Sequence, residues 1–471
     1  MIEARRRQRT FGEGLINEEV ADLWEPWMRH ADEVLNDEKL IETVYLALTR
    51  RAPRSKNFGR PGTPAEMVLR LMVLKHARDW SYDILEREVR ANLVYREFTR
   101  VGAGKVPDAK SLGRLGRTLG PEVVEKVDQR IVAIAQEKKI VQGKRLRVDT
   151  TVVETNIHYP TDSSLLGDGV RVLTRTMQKI TQLAGEAGTK LRSRMRSVQH
   201  RLIEIGRASR SKGEAGKEKL QKSYDKLLSA TGQVVKQAQR FAAEVVSGVK
   251  RSADVMEQAA LEGCKQYIDT MVPRVQNVMR QTKARVFEGT NHFAEKLFSI
   301  FEPTTENIRK GKAGKPNEFG KMVKIQEAEN QIITDYEVYP KRPSDSNLLI
   351  PAIETHQQLL DCTPRLVAGD AGFYSAKNEA AAEAMGVEQV AVPNHNTKSA
   401  ERKRHQKQRW FRKGQKWRVG CEGRISVLKR RHGMDRSLYK GDDGMKRWVG
   451  LGVIADNLIN IGRKLATQKT G

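Results

Sequence analysis

Through most of the first 140 positions, apolar residues recur at spacings of three and four, the period of helices with one face turned inward. Met67, Val68, Leu71, Met72 and Leu74 mark one such helix. Before them, Thr63-Pro64-Ala65-Glu66 reads as a capping box with proline at the first helical position. Trp80-Ser81-Tyr82 breaks the period, and Ile84, Leu85, Glu88 and Val89 define a second short amphipathic helix, followed by Tyr95 and Phe98. Two short helices around a tight turn fit a helix-turn-helix that sets one helix in a major groove, or a plain helical hairpin that packs or dimerises. Pro121 opens a further helix carrying Val124, Val127, Ile131 and Ile134.

At residue 144 the period shortens. Residues 144–153 are rich in β-branched side chains and follow Gly143, the pattern of a strand. Residues 170–290 are helical again. Strand signals return at 296–301, 319–325 and 332–339, the last two joined by a turn at Ala328-Glu329-Asn330-Gln331 and so expected as a hairpin. A helix over 347–360 leads to a buried strand, 365–372, that ends in a Gly-flanked Asp. A helix through 380–385 and a strand at 389–392 complete a strand-helix-strand unit. A basic, strand-poor segment follows, then helices near 422–429 and 448–465. The strands thus form one core interrupted by a large helical insertion.

Charge changes the picture. Of 471 residues, 85 are Lys or Arg and 58 are Asp or Glu, a formal net charge of +27 that calls for a polyanionic partner, nucleic acid being the commonest. From Arg171 to Lys219 thirteen basic residues face four acids, the pattern of a solvated helical face or of an arm lying on nucleic acid. No apolar run follows the basic start Met1 to Arg7 as a secretory signal requires, and no stretch is apolar enough to span a membrane. Cys264, Cys362 and Cys421 lie far apart and form neither a disulfide framework nor a zinc pair. The expectation is a soluble protein of the cytosol.

Three acids draw attention. Asp149 interrupts an apolar strand, where a carboxylate is costly unless paired or bound to a cation; the alternative is an edge strand facing water. Asp370 stands at a strand C-terminus, where open α/β sheets place functional groups, or it is a turn residue. Glu422 lies at the start of a predicted helix, a common place for an acid. Together they suit Mg²⁺ or Mn²⁺, which bind through one or two carboxylates plus waters and substrate phosphates. From Arg402 to Arg418 nine basic residues and no acid are interleaved with Trp410, Phe411 and Trp417. Aromatic faces among cations can stack unpaired bases, while Arg404 and Lys407 hold phosphates.

These residues resemble those of DDE-type insertion-sequence transposases, similar to the insertion-sequence-five superfamily and its not-classified-yet relatives. The stretch Gly59-Arg60-Pro61-Gly62-Thr63-Pro64 through Ser81-Tyr82 and Tyr95-Arg96-Glu97-Phe98 is similar to that family's N-terminal domain. Arg147-Val148-Asp149-Thr150-Thr151 looks like its first acidic strand, Ala368-Gly369-Asp370-Ala371-Gly372 like its second, and Gly420-Cys421-Glu422-Gly423-Arg424 like its acidic helix. The resemblance implies a ribonuclease-H-like mixed sheet of α/β class, with Asp149, Asp370 and Glu422 as the metal-binding triad. Its insertion-sequence-four relatives carry Tyr, Arg, Glu and Lys at fixed spacings around the acidic helix. Arg418, Glu422 and Lys429 fall at those spacings, with Gln415 in the Tyr position. That implies phosphate contacts for Arg418 and Lys429, with Trp417 as a candidate for the Tyr role.

The expected organisation is a helical N-terminal domain for DNA binding or multimerisation over 1–140, a catalytic core over 141–165 and 291–471, and a basic helical insertion over 166–290. The expected function is a DNA transposase that cleaves the terminal inverted repeats of its element and joins them to target DNA by two-metal chemistry. It would act as a dimer or higher assembly, in the cytoplasm at the nucleoid, without a membrane. The rivals are a metal-dependent nuclease that cuts without joining and a catalytically inactive DNA-binding protein. Other chemistries lack their motifs: His395 has no second His at relaxase spacing, no phosphate-cradling GxxxxGK[ST] loop occurs, Tyr439 with Arg430-Arg431-His432 misses tyrosine-recombinase spacing, and His158 has no metal-ligand spacing around it.

Overall fold

A computed structural model describes residues 1–6, 19–20, 22–50, 62–211, 213–290, 292–309 and 314–468. Gly59-Arg60-Pro61 of the N-terminal motif, and Arg7 of the basic start, lie outside them. The chain divides into two compact units, residues 1–156 with 308–471, and residues 157–307. The N-terminal helices, expected as a domain of their own, belong to one unit with the sheet, and the insertion spans more of the chain than 166–290.

In the first unit, α1 (Pro26–Leu35), α2 (Glu38–Arg50), α3 (Ala65–Ala77), α4 (Tyr82–Ala91), α5 (Leu93–Phe98) and α6 (Ala109–Glu137) share one apolar core. Within α6, Gly120 at φ +73° precedes Pro121 and divides the helix into two segments. The capping box at Thr63 does not form: Pro64 is the N-cap of α3 and no side chain caps the helix. Nearly all of α3, from Ala65 to His76, is buried, as suits a central helix. In contrast, α4 buries only Leu85 and Val89, and its N-cap Ser81 accepts from the Ile84 N–H.

The strands are β1 (Arg145–Thr155), β2 (Glu306–Ile308), β3 (Glu318–Glu327), β4 (Ile333–Val338), β5 (Leu366–Ala368), β6 (Gln389–Ala391) and β7 (Arg436–Ser437). Among the described residues they form one seven-stranded sheet ordered β2-β3-β1-β5-β6, with β4 on β3 and β7 on β1. β3 runs antiparallel to both β1 and β4, as the hairpin reading expected, whereas β5 and β6 extend the sheet from β1 in parallel. β1 is therefore central, which removes the edge-strand reading of Asp149. Residues 296–301, expected as a strand, are irregular.

Helices α11 (Leu349–Leu360) and α12 (Ala376–Ala384) link the strands, and α13 (Ala400–Lys407), α14 (Arg409–Arg431) and α15 (Gly441–Gln468) close the unit. The fold class is thus helix-rich α/β with a mixed sheet. α15 buries Trp448, Val449, Leu451, Val453, Ile454, Leu458 and Ile461, the stretch whose apolar length resembled a span; no helix among the described residues is long and apolar enough to cross a membrane.

The second unit consists of α7 (Asp162–Ala184), α8 (Met195–Ala208), α9 (Glu214–Val246) and α10 (Val255–Phe287). Its core includes Leu166, Val170, Leu173, Phe241, Val275 and Val278. Among the cations of this unit, Arg175, Lys179, Arg196, Arg207 and Lys219 are exposed. His158 pairs with Asp168 at 2.7 Å, which raises the imidazole pKa.

Candidate active site

The parallel ladder between β1 and β5 ends at the pair Arg147 and Ala368. Asp149 and Asp370 each follow that pair by two residues, Asp149 within β1, which continues to Thr155, and Asp370 just past the end of β5. Asp149 is 9% exposed, and its Oδ1 accepts from the Thr150 N–H at 2.7 Å. Asp370 is the N-cap of a short 3₁₀ turn, Ala371–Phe373, with Oδ1 accepting from the Gly372 N–H at 2.8 Å.

Glu422 lies on α14. This helix begins at Arg409, so Glu422 stands in its interior rather than at its start. The early start follows from the inward stripe Phe411, Gly414, Cys421 and Leu428, which holds a helical period through the basic segment. Two contacts tie α14 across the strand ends. Gln415 Nε2, in the position where related chains have Tyr, donates to the carbonyls of Ala391 and Gly369, the latter at 3.1 Å and one residue before Asp370. Gly420 lies so close to the Arg147 guanidinium that a Cβ there would overlap it. Arg147 in turn donates to the Trp417 carbonyl and to Glu327 across the β1–β3 pair.

Arg418 joins two of the acids. Its Nη1 lies 2.9 Å from Glu422 Oε1 and 3.8 Å from Asp149 Oδ2. Near Asp370, on the other side of Gly372, stands a further acid that no sequence motif marks. Asp345, at the start of a 3₁₀ turn before α11, accepts from Thr150 Oγ1 at 3.0 Å. A Cβ on Gly372 would lie 3.1 Å from Asp370 Oδ1 and 3.3 Å from Asp345 Oδ2, so only glycine leaves the space between these carboxylates open. Nothing in Pro343-Ser344-Asp345-Ser346 marks this acid, since Ser-Asp before a helix reads as a cap.

Arg418 thus links Asp149 and Glu422, while Asp345 and Asp370 both border Gly372. Among the described residues no group of three His, Cys, Asp or Glu side chains is close enough to hold one metal ion together. The donor chemistry still suits a hard divalent cation, for which one or two carboxylates suffice when water and phosphate oxygens complete the shell. The Arg418 guanidinium, lodged between two of the carboxylates, shows that the place accepts positive charge. Cys421 offers no thiolate there: burial, with Glu327 and Asp149 nearby, pushes its pKa well above the usual value.

The remaining candidates are placed as follows. Lys429 Nζ donates to the Val152 carbonyl of β1 at 2.7 Å. Arg404 and Lys407 are exposed on α13. The aromatics among these cations are covered to different extents, with Trp410 and Trp417 only partly buried. Phe411 is buried against Ala368 and Ala391, with Trp410 and Trp417 packed on the same cluster, and Arg147 lies 4.8 Å from the centre of the Trp417 ring.

Two segments match protein-family models. Residues 26–117, from α1 into α6, match a transposase domain family (DUF772), and residues 379–462 match a transposase DDE domain. The second match contains Arg418, Glu422 and Lys429 and begins after Asp370. No curated protein and no solved structure matches the chain. Together the two matches support a DDE-type insertion-sequence transposase, a class that generally uses divalent metal ions.

Proposed function

We propose that the protein cleaves the inverted repeats at the ends of its element and joins the freed ends to target DNA, with Asp149, Asp370 and Glu422 holding Mg²⁺ or Mn²⁺. The observation that carries this reading is that Asp149 and Asp370 each follow the Arg147–Ala368 pair by two residues, with Arg418 of α14 joining Asp149 to Glu422. The order of the central strands, antiparallel β4-β3-β1 and then parallel β5 and β6, supports a ribonuclease-H-like core.

Bound at these carboxylates, a divalent cation supplies activation of a water or 3′-hydroxyl and stabilises the leaving oxygen of an in-line displacement. The protein's own residues position the DNA. Arg418 turns from the carboxylates to the scissile phosphate, and Arg404 and Lys407 hold flanking phosphates. Lys429 fixes the β1 backbone beside the acids, and Thr150 and Asp345 orient the Asp149–Asp370 edge. Because cleavage and joining are the same displacement with different nucleophiles, one site serves both. Pairing two ends takes at least a dimer, working on chromosomal DNA at the nucleoid.

A strand-transfer assay tests the proposal, using duplexes that carry the element's own inverted repeats. New joints to a target plasmid in Mg²⁺ are the expected result. Cleavage without joints leaves a nuclease, and neither product leaves a DNA-binding protein.

A further inference from the structure

Lys75 is 2% exposed on α3, and its ammonium sits in a cage of three rings. The Nζ atom lies 4.7 Å from the ring centre of Trp448, 5.1 Å from that of Tyr82 and 5.3 Å from that of Tyr439. Among the described residues no carboxylate lies within ion-pair distance of Nζ and no acceptor takes its hydrogen bonds. Ring faces offset part of the cost of burying an ammonium, but they leave its N–H donors unmatched.

Lys75 and the Tyr82–Tyr439 pair line a cavity of about 500 Å³. Arg117, Lys440 and Arg447 line it as well, against one acid, Asp83. Ser81 and Tyr82, at the N-terminus of α4, line the cavity as well. Four cations to one carboxylate exclude a metal ion as occupant. A tetrahedral oxyanion matches both the ammonium's three donors and the surrounding guanidinium groups.

We propose that this cavity binds a phosphate group of DNA, with Lys75 as its central donor and Arg117, Lys440 and Arg447 around it. The site stands in the N-terminal transposase domain and against α15, and it does not depend on the acids at the sheet edge. It gives the helical part of this unit a definite contact with the nucleic-acid backbone, formed by a pocket rather than by an exposed helix face.

The test uses the full-length protein, its Lys75→Met and Arg117→Gln variants, and a fluorescent duplex with or without a 5′-phosphate, with affinity measured over a range of salt. Each variant is expected to reduce the slope of log affinity against log salt by about 0.9, the effect of one lost phosphate contact on a duplex. Inorganic phosphate, titrated by calorimetry, should bind the parent protein and lose at least tenfold in affinity with Lys75→Met. A loss confined to the 5′-phosphorylated duplex identifies a terminal phosphate, and an equal loss on both duplexes identifies the backbone. Unchanged slopes in both variants overturn the proposal. If Lys75→Met fails to fold, the Arg117→Gln slope alone decides.

Discussion

Arg418 Nη1 lies 2.9 Å from Glu422 Oε1, one turn away on the same helix, and 3.8 Å on its other side from Asp149 Oδ2. The guanidinium thus neutralises two acids that are proposed to hold metal, and it competes with a divalent cation for them. In Arg418→Gln, the Mg²⁺ or Mn²⁺ concentration that half-stabilises the DNA-free protein against heat should fall by roughly 1.4- to fivefold, the equivalent of losing a partly exposed ion pair worth about 0.2–1 kcal/mol. A midpoint that stays put would remove the competition.

Asp149→Asn, Asp370→Asn and Glu422→Gln should each take cleavage below detection while DNA binding persists. Asp345→Asn should do less. Its carboxylate acts beside Asp370 and through Thr150, and partners of this kind typically cost about 10–100-fold in metal affinity or activity. A kinetic assay across metal concentrations separates the two behaviours. Full activity in Asp345→Asn would leave that acid as a cap alone.

Asp456 on α15 accepts two bonds from Arg424 of α14, at 2.7 and 2.9 Å, and both side chains are buried. Asp456→Ala leaves a buried guanidinium without its carboxylate and should cost about 3–5 kcal/mol in urea unfolding. Replacing both, as Arg424→Met with Asp456→Leu, should recover most of that loss. Equal losses in the single and double variants would show that the pair is not the unit.

Lys75 sets a pH signature on stability. Burial lowers its pKa from 10.5 to about 8. Between those values the unfolded chain holds a proton that the folded chain has released, so stability from this group rises with pH across the window. Below pH 8 the ammonium is charged in both states and the cost of burial is full. Lys75→Met should therefore stabilise most near neutral pH, by up to about 3 kcal/mol, with the advantage fading toward pH 10.5. Urea unfolding of both proteins at pH 7 and pH 10 measures the change. A constant gap would mean that this lysine does not titrate there.

Periodicity resolved the hairpin of β3 and β4, the helix that follows Pro121 and the strand carrying Asp149, because each lies in an unbroken local pattern. It misplaced the start of α14, since the exposed cations Arg409, Arg412, Lys413 and Lys416 hide an inward stripe of only a few apolar residues. For the same reason Trp410 and Trp417 read as stacking faces, although each packs in part on the cluster of Ala368, Ala391 and Phe411. A strand at 296–301 was expected from apolar residues that gain no pairing partner.

The chain by itself singled out Asp149, Asp370 and Glu422 and the cations near them in sequence, because residue type and local period are written along it. Tertiary structure alone decided that Asp345 lies near Asp370 across Gly372, that Arg418 stands between Asp149 and Glu422, and that Lys75 lies caged beside a cavity. Each of those contacts joins residues distant along the chain or turns on how a side chain is directed once helices cross the sheet. No local pattern encodes the crossing of α14 over β1 and β5, which is set by the packing of the whole core.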